Sequence, residues 1–163
     1  MLDGVELLCL LNADEKSDVA AIDLGERRHV YDVRAEAFLG EFETLKVPLD
    51  PMGARVFCFA PEPLPAPILR APGAAAREVA GGAGTLEFTV GRAGPAPARQ
   101  LVRITVADGN GRNREELMQT VWVSGEPVGS FVPLALNDPA GAWTITATDV
   151  MSGQRAVAKV VVR

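Results

Sequence analysis

The feature that most narrows what this chain can fold into is a two-residue period of apolar side chains, repeated in short runs from end to end. In "TLEFTVG" (85–91), Leu86, Phe88 and Val90 alternate with Thr85, Glu87 and Thr89. "QLVRITVAD" (100–108) places Val102, Ile104 and Val106 on one side, and "DPAGAWTITATDVMSG" (138–153) does the same with Trp143, Ile145 and Ala147. A strand turns successive side chains to opposite faces, so this pattern predicts half-buried strands. No run holds the 3.6-residue period of an amphipathic helix for long enough to compete. Nearly half of the residues are hydrophobic, enough to build real cores, and glycine and proline are spread along the chain where tight turns are needed.

The first half reads as a series of strands: "VELLCLLNA" (5–13), expected to be central, "VAAIDLG" (19–25), "HVYDVRA" (29–35), "FLGEF" (38–42), "TLKVPL" (44–49) and "ARVFCFA" (54–60). "ERR" and "DPMG" (50–53) are expected to be turns, with Pro51 fixing its own φ and Gly53 free to take a positive one. Residues 61–73, "PEPLPAPILRAPG", carry five prolines and predict a semi-rigid extended connector. Beyond it, "ELMQTVWVSG" (116–125), "GSFVPLALND" (129–138) and "QRAVAKVVVR" (154–163) complete roughly seven strands in about 95 residues. "AREVAGGAG" (76–84) is expected to be a loop.

The expected architecture is therefore all-β, with two tandem antiparallel β-sandwich domains, the second of immunoglobulin-like type. Their expected limits are 1–61 and 74–163. The Pro-rich linker occupies 62–73, and an edge strand of the second domain starts near Pro67.

Charge and cysteine content narrow the function classes. Up to Glu62 there are thirteen acidic and six basic residues, and beyond it eight and ten. Neither part carries the concentrated basic surface that nucleic-acid binding calls for. No apolar run approaches the roughly 20 residues of a membrane-crossing helix, so no membrane insertion is expected. The start, "MLDGVELLCLLNADEK", lacks a basic leader and a small-residue cleavage site and passes almost at once into a strand. That abruptness is expected of a fragment cut from a longer chain with an added Met1, and it leaves the parent's location open. Cys9 and Cys58 each lie in an apolar strand, where two readings stand: small buried hydrophobes, or a cross-strand disulfide in an oxidising compartment. With His29 the only histidine and no CxxC pair, neither a metal site nor a cofactor is expected.

Two resemblances follow from particular motifs. "LLCLLNADEKSDVAAIDLG", "HVYDVRAEAFLG" and "VPLDPMGARVFCF" make residues 5–60 similar to the C-terminal β-sandwich of α-galactosidase-like glycoside hydrolases. "LVRITVADGNGR", "VPLALNDPAGAW" and "WTITATDVMSG" make residues 84–163 resemble immunoglobulin-like and macroglobulin-type modules of bacterial surface and secreted proteins. Both resemblances imply fold alone, since neither module carries catalytic residues in its family.

The candidate sites reduce to a few groups. "DGNGRNREE" (108–116) sets Asp108 and Asn110 at the alternation of a calcium loop, but Arg112 stands at the third ligand position, and an Asn-Gly hairpin turn accounts for the stretch. His29 has no recognisable nucleophile motif near it and is expected to be a half-exposed strand residue at a turn. Glu41 and Glu43 stand on outward positions, unsuited to a facing carboxylate pair. Trp143 is expected in the core. If Val121 and Val123 point inward, Trp122 points out, and Tyr31 raises the same question. The expected function is a non-catalytic spacer or brace, partnered by adjacent domains of a bacterial parent enzyme or surface protein. The alternative is a carbohydrate-binding module stacking sugar rings on Trp122 or Tyr31.

Overall fold

The computed structural model describes residues 4–79, 82–94 and 99–163. The chain is all-β and divides into two compact units: Met1–Leu64 with Val150–Gly153, and Pro65–Asp149 with Gln154–Arg163.

The first unit holds β1 (Glu6–Leu11), β2 (Asp18–Asp32), β3 (Ala37–Leu49) and β4 (Ala54–Ala60), hydrogen-bonded in the order β1-β4-β2-β3. Four strands, of which β2 and β3 are long, replace the six that the sequence suggests. The "ERR" segment does not reverse the chain. β2 and β3 pair from Asp18↔Leu49 to Asp23↔Thr44 and resume at Arg28↔Phe42, so four residues of β2 bulge out against one of β3. Asp23 Oδ1 accepts the amide of Gly25 at 2.9 Å, and Gly25 takes a φ of +71°, which lets the strand kink and continue. Leu45, Val47 and Leu49 of β3 then share one core with Val30, Phe57 and Phe59, with Leu8, Leu10 and Ile22 packed around it.

β1 lies at the sheet edge rather than its centre, which exposes Leu7, Cys9 and Leu11 on its outer side. Cys9 is thus not the buried residue its apolar neighbours suggest. Cys58, paired across from Leu7, is fully buried, and both remain thiols. In the 50–53 turn Met52, not Gly53, adopts the left-handed conformation (φ +52°), while Gly53 donates its amide to Asp50 O at 3.0 Å. A Cβ on Gly53 would lie 2.8 Å from that same oxygen, so close approach selects the glycine.

The second unit is a sandwich. β5 (Pro67–Arg70), β6 (Ala74–Ala75), β7 (Glu78–Val79), β8 (Gly82–Ala83), β9 (Thr85–Arg92), β10 (Gln100–Ala107), β11 (Gln119–Val123), β12 (Val128–Pro133), β13 (Gly141–Asp149) and β14 (Arg155–Val162) follow in order. One sheet runs β11-β10-β13-β14-β6 and the other β12-β9-β5, with β7 and β8 paired as a short hairpin. The 76–84 stretch therefore contains that hairpin rather than a plain loop; its residues 80–81 lie outside the described residues, as does Met1. β5 forms inside the Pro-rich stretch, at the edge of its sheet, where proline removes no interior hydrogen bond. Leu86, Phe88 and Val90 face Val102, Ile104, Trp143 and Ile145 across the sandwich, all buried.

Trp143 is fully buried and donates its indole N–H to Pro139 O at 2.8 Å. Trp143→Ala removes the largest side chain of this core and leaves a cavity, at a cost of about 3–5 kcal/mol. Urea unfolding followed by circular dichroism checks this. A midpoint within error of the parent's contradicts the central place of Trp143.

Candidate functional site

Four buried polar side chains hold loops in the two units. In the first, Asn12 ends β1. Its Nδ2 donates to Lys16 O at 2.8 Å and Asp50 O at 3.0 Å, and its Oδ1 accepts the Asp14 amide at 3.0 Å. Asp32, at the end of β2, is 2 % exposed and accepts the amides of Arg34 and Ala35, each at 3.0 Å, on Oδ1. Its Oδ2 takes the Arg55 guanidinium through Nε and Nη2. Burial alone works against ionisation of Asp32, but the Ala35 amide, Arg55 and the Arg34 amide together hold its carboxyl below the ordinary value of 3.8.

In the second unit a polar groove of about 730 Å³ opens between the β10–β11 and β12–β13 connections. Asp108 starts its wall: Oδ1 accepts the amides of Asn110 (2.9 Å) and Arg112 (3.1 Å), and the loop closes as a tight hairpin with Gly111 at φ +77°. Gly109 packs so closely that a Cβ would lie 2.3 Å from Ala140 O. Asp138 accepts the Ala135 amide on Oδ2 and Arg114 Nη1 on Oδ1, both at 2.7 Å. Arg114 also donates to Glu116, and its guanidinium lies over the Trp143 ring, 5.7 Å from the centroid. Hydrogen bonds to Asp138 and then Glu116 raise the Arg114 pKa, and the Arg114 hydrogen bond lowers that of Glu116. Among the described residues, no three His, Cys, Asp or Glu side chains gather where a metal ion could sit.

The sequence candidates fall as follows. Tyr31 is not exposed: it is 2 % accessible, and its hydroxyl accepts the Leu64 amide at 2.9 Å. The backbone beyond β4 thus binds the phenol, and the ring cannot serve as a stacking platform. His29 is mostly buried within β2, just past the bulge, rather than half-exposed at a turn, and the Glu41 carboxylate stands 3.9 Å from its Nδ1, beyond a hydrogen bond. Glu41 and Glu43 are exposed on β3. Trp122 is 52 % exposed on the outer side of β11, directly across from Leu101 on β10, while Val123 faces the core. Sequence reasoning missed the Arg114 cluster, in which Asp138 lies 24 residues from Arg114, and the exposed Phe131, which the alternation in "GSFVP" could have located.

No family model matches this chain, and no curated protein matches it. Among solved structures it is similar to Arthrobacter globiformis T6 isomalto-dextranase complexed with panose, a glycoside hydrolase. The sequence identity is 13 % and the TM-score 0.33, over 90 % of this chain and 35 % of that one. The chain thus spans about a third of the length of that enzyme.

Two substitutions test these loop clips. Because the folded pKa of Asp32 is lowered, its ionised form contributes stability that is fully present above pH 3.8 and is lost as pH falls through the lower folded value. Asp32→Asn is therefore expected to destabilise the fold most at neutral pH, with the gap closing in acid. A gap independent of pH from 7 down to about 2 contradicts the assignment. Asp138→Ala removes the partner of the Ala135 amide and of one side of Arg114. It is expected to cost about 1–3 kcal/mol in urea unfolding.

Proposed function

We propose that this chain is a non-catalytic accessory region, a spacer or brace of two β-sandwich units, the second immunoglobulin-like, within a larger bacterial enzyme or surface protein. Its partners are the adjacent domains of that parent. The observation that carries this reading is the use of the buried polar side chains: Asn12, Asp32, Asp108 and Asp138 each bind backbone groups of their own loops. A general base or nucleophile needs lone pairs or a proton available to a substrate, and each of these groups has at least one polar atom committed to holding a turn. His29, the single imidazole, sits within a strand with no hydrogen-bonded carboxylate to orient it. Each unit also packs its own hydrophobic core, the arrangement of a rigid module.

Trp122 favours a second reading, carbohydrate binding, because an indole left half exposed offers amphipathic contact area that a purely structural module does not need.

Turnover measurements separate the structural reading from a hydrolase. The purified chain is expected to leave nitrophenyl glycosides and esters at their uncatalysed rates. Turnover that disappears in His29→Ala, with the unfolding midpoint unchanged, contradicts the reading.

A further inference from the structure

The outer face of the β12-β9-β5 sheet carries a shallow open groove of about 450 Å³. Register places its lining in two rows. Gly129, Thr89 and Arg70 stand side by side across the three strands, and Phe131 pairs with Glu87 in the next row, with Pro72 closing one end. Strands lie roughly 4.8 Å apart and same-face residues roughly 7 Å apart, so the patch has the dimensions of one or two pyranose rings.

Phe131 is 57 % exposed, an apolar ring that contributes nothing to the core. Two residues earlier on the same face, Gly129 has no side chain, and nothing lies within 4 Å of the position a Cβ would take. The result is a slot with an aromatic wall. Interior glycine weakens a strand and often marks a site where another molecule approaches closely. Around the slot stand a hydroxyl on Thr89, a carboxylate on Glu87 and a guanidinium on Arg70. Glu87 and Arg70 are exposed, and among the described residues neither enters a salt bridge.

A ring wall beside separate donors and acceptors matches a neutral sugar. Its axial C–H face packs on an aromatic surface while its hydroxyls both donate and accept. A purely apolar partner would leave Glu87 and Arg70 desolvated without compensation, and an anion would meet the Glu87 carboxylate.

We infer that the Phe131–Gly129 groove is a binding site for a neutral oligosaccharide. Phe131 stacks on one ring, and Glu87, Arg70 and Thr89 hydrogen-bond to its hydroxyls. This rests on the carbohydrate-binding reading but moves the site from Trp122, on the other sheet, to Phe131.

The test is calorimetric titration of the full chain with cellotetraose, maltotetraose, isomaltotetraose, xylotetraose and mannotetraose. At least one is expected to bind with a Kd of about 1 mM or tighter, and Phe131→Ala to weaken that binding at least about tenfold. Gly129→Val is expected to block the slot equally. Its φ lies outside the left-handed region and the added side chain meets open space, so a strand-favouring valine leaves the unfolding midpoint unchanged or higher. Trp122→Ala is expected to leave affinity unchanged. Binding lost in Trp122→Ala and kept in Phe131→Ala and Gly129→Val overturns this site while sparing the carbohydrate reading. No binding to any of the five sugars up to about 10 mM overturns both.

Discussion

A carboxylate or carboxamide taken out of water has to recover its hydrogen bonds from the protein, and a loop backbone has amides and carbonyls with no strand to pair with. In this chain the two needs meet. Asp32 receives the amides of the β2–β3 turn, Asp108 those of its own hairpin, and Asp138 that of Ala135. Asn12 joins the loop that follows it to the 50–53 turn. Strand pairing fixes the sheets, but these clips fix where the chain leaves one strand and enters the next.

The two units share a further device. In each, an arginine links a carboxylate that holds a turn to a core aromatic ring. Arg55 binds Asp32 and lies 5.6 Å from the Phe57 centroid; Arg114 binds Asp138 and lies 5.7 Å from the Trp143 centroid. The guanidinium is suited to this, since its planar edge donates to a carboxylate while its face rests on a ring. Cation, anion and aromatic thereby couple loop geometry to core packing, so a change in either is felt by the other. Lysine in either place would keep the charge and lose both the fork and the flat face.

Much of the fold could be read from alternation alone. Leu86, Phe88, Val90, Ile104, Trp143 and Ile145 fall inside, as a two-residue period requires, and Trp122 falls outside for the same reason. What alternation does not carry is the neighbour of each strand. β1 is continuously apolar and so looks central, yet it pairs only with β4, which leaves Cys9 at the surface. Tyr31 alternates outward from the main core but is covered there: its ring lies 5.1 Å from that of Phe38, and Leu64, 33 residues on, returns to its hydroxyl. "ERR" reads as a turn and instead belongs to a bulge, because the strand after it has a register partner waiting on β3. The Arg114 cluster was illegible for the plain reason that Asp108, Arg114 and Asp138 meet only once two separate connections are folded together. Phe131 was visible in principle: "GSFVP" sets a glycine and a phenylalanine on one face, a gap beside a ring.

Residue-resolved amide hydrogen exchange at neutral pH tests the loop clips most directly, because it reads the backbone groups that the buried side chains are said to hold. The amides of Ala35, Arg112 and Ala135 lie outside the strands, and ordinary loops leave such amides open to water. The account predicts protection at these three comparable with that of neighbouring strand amides, lost selectively at Ala35 in Asp32→Ala and at Ala135 in Asp138→Ala. Exchange at the rate of an unstructured peptide in the parent chain would contradict it, since the carboxylates would then be free for other work.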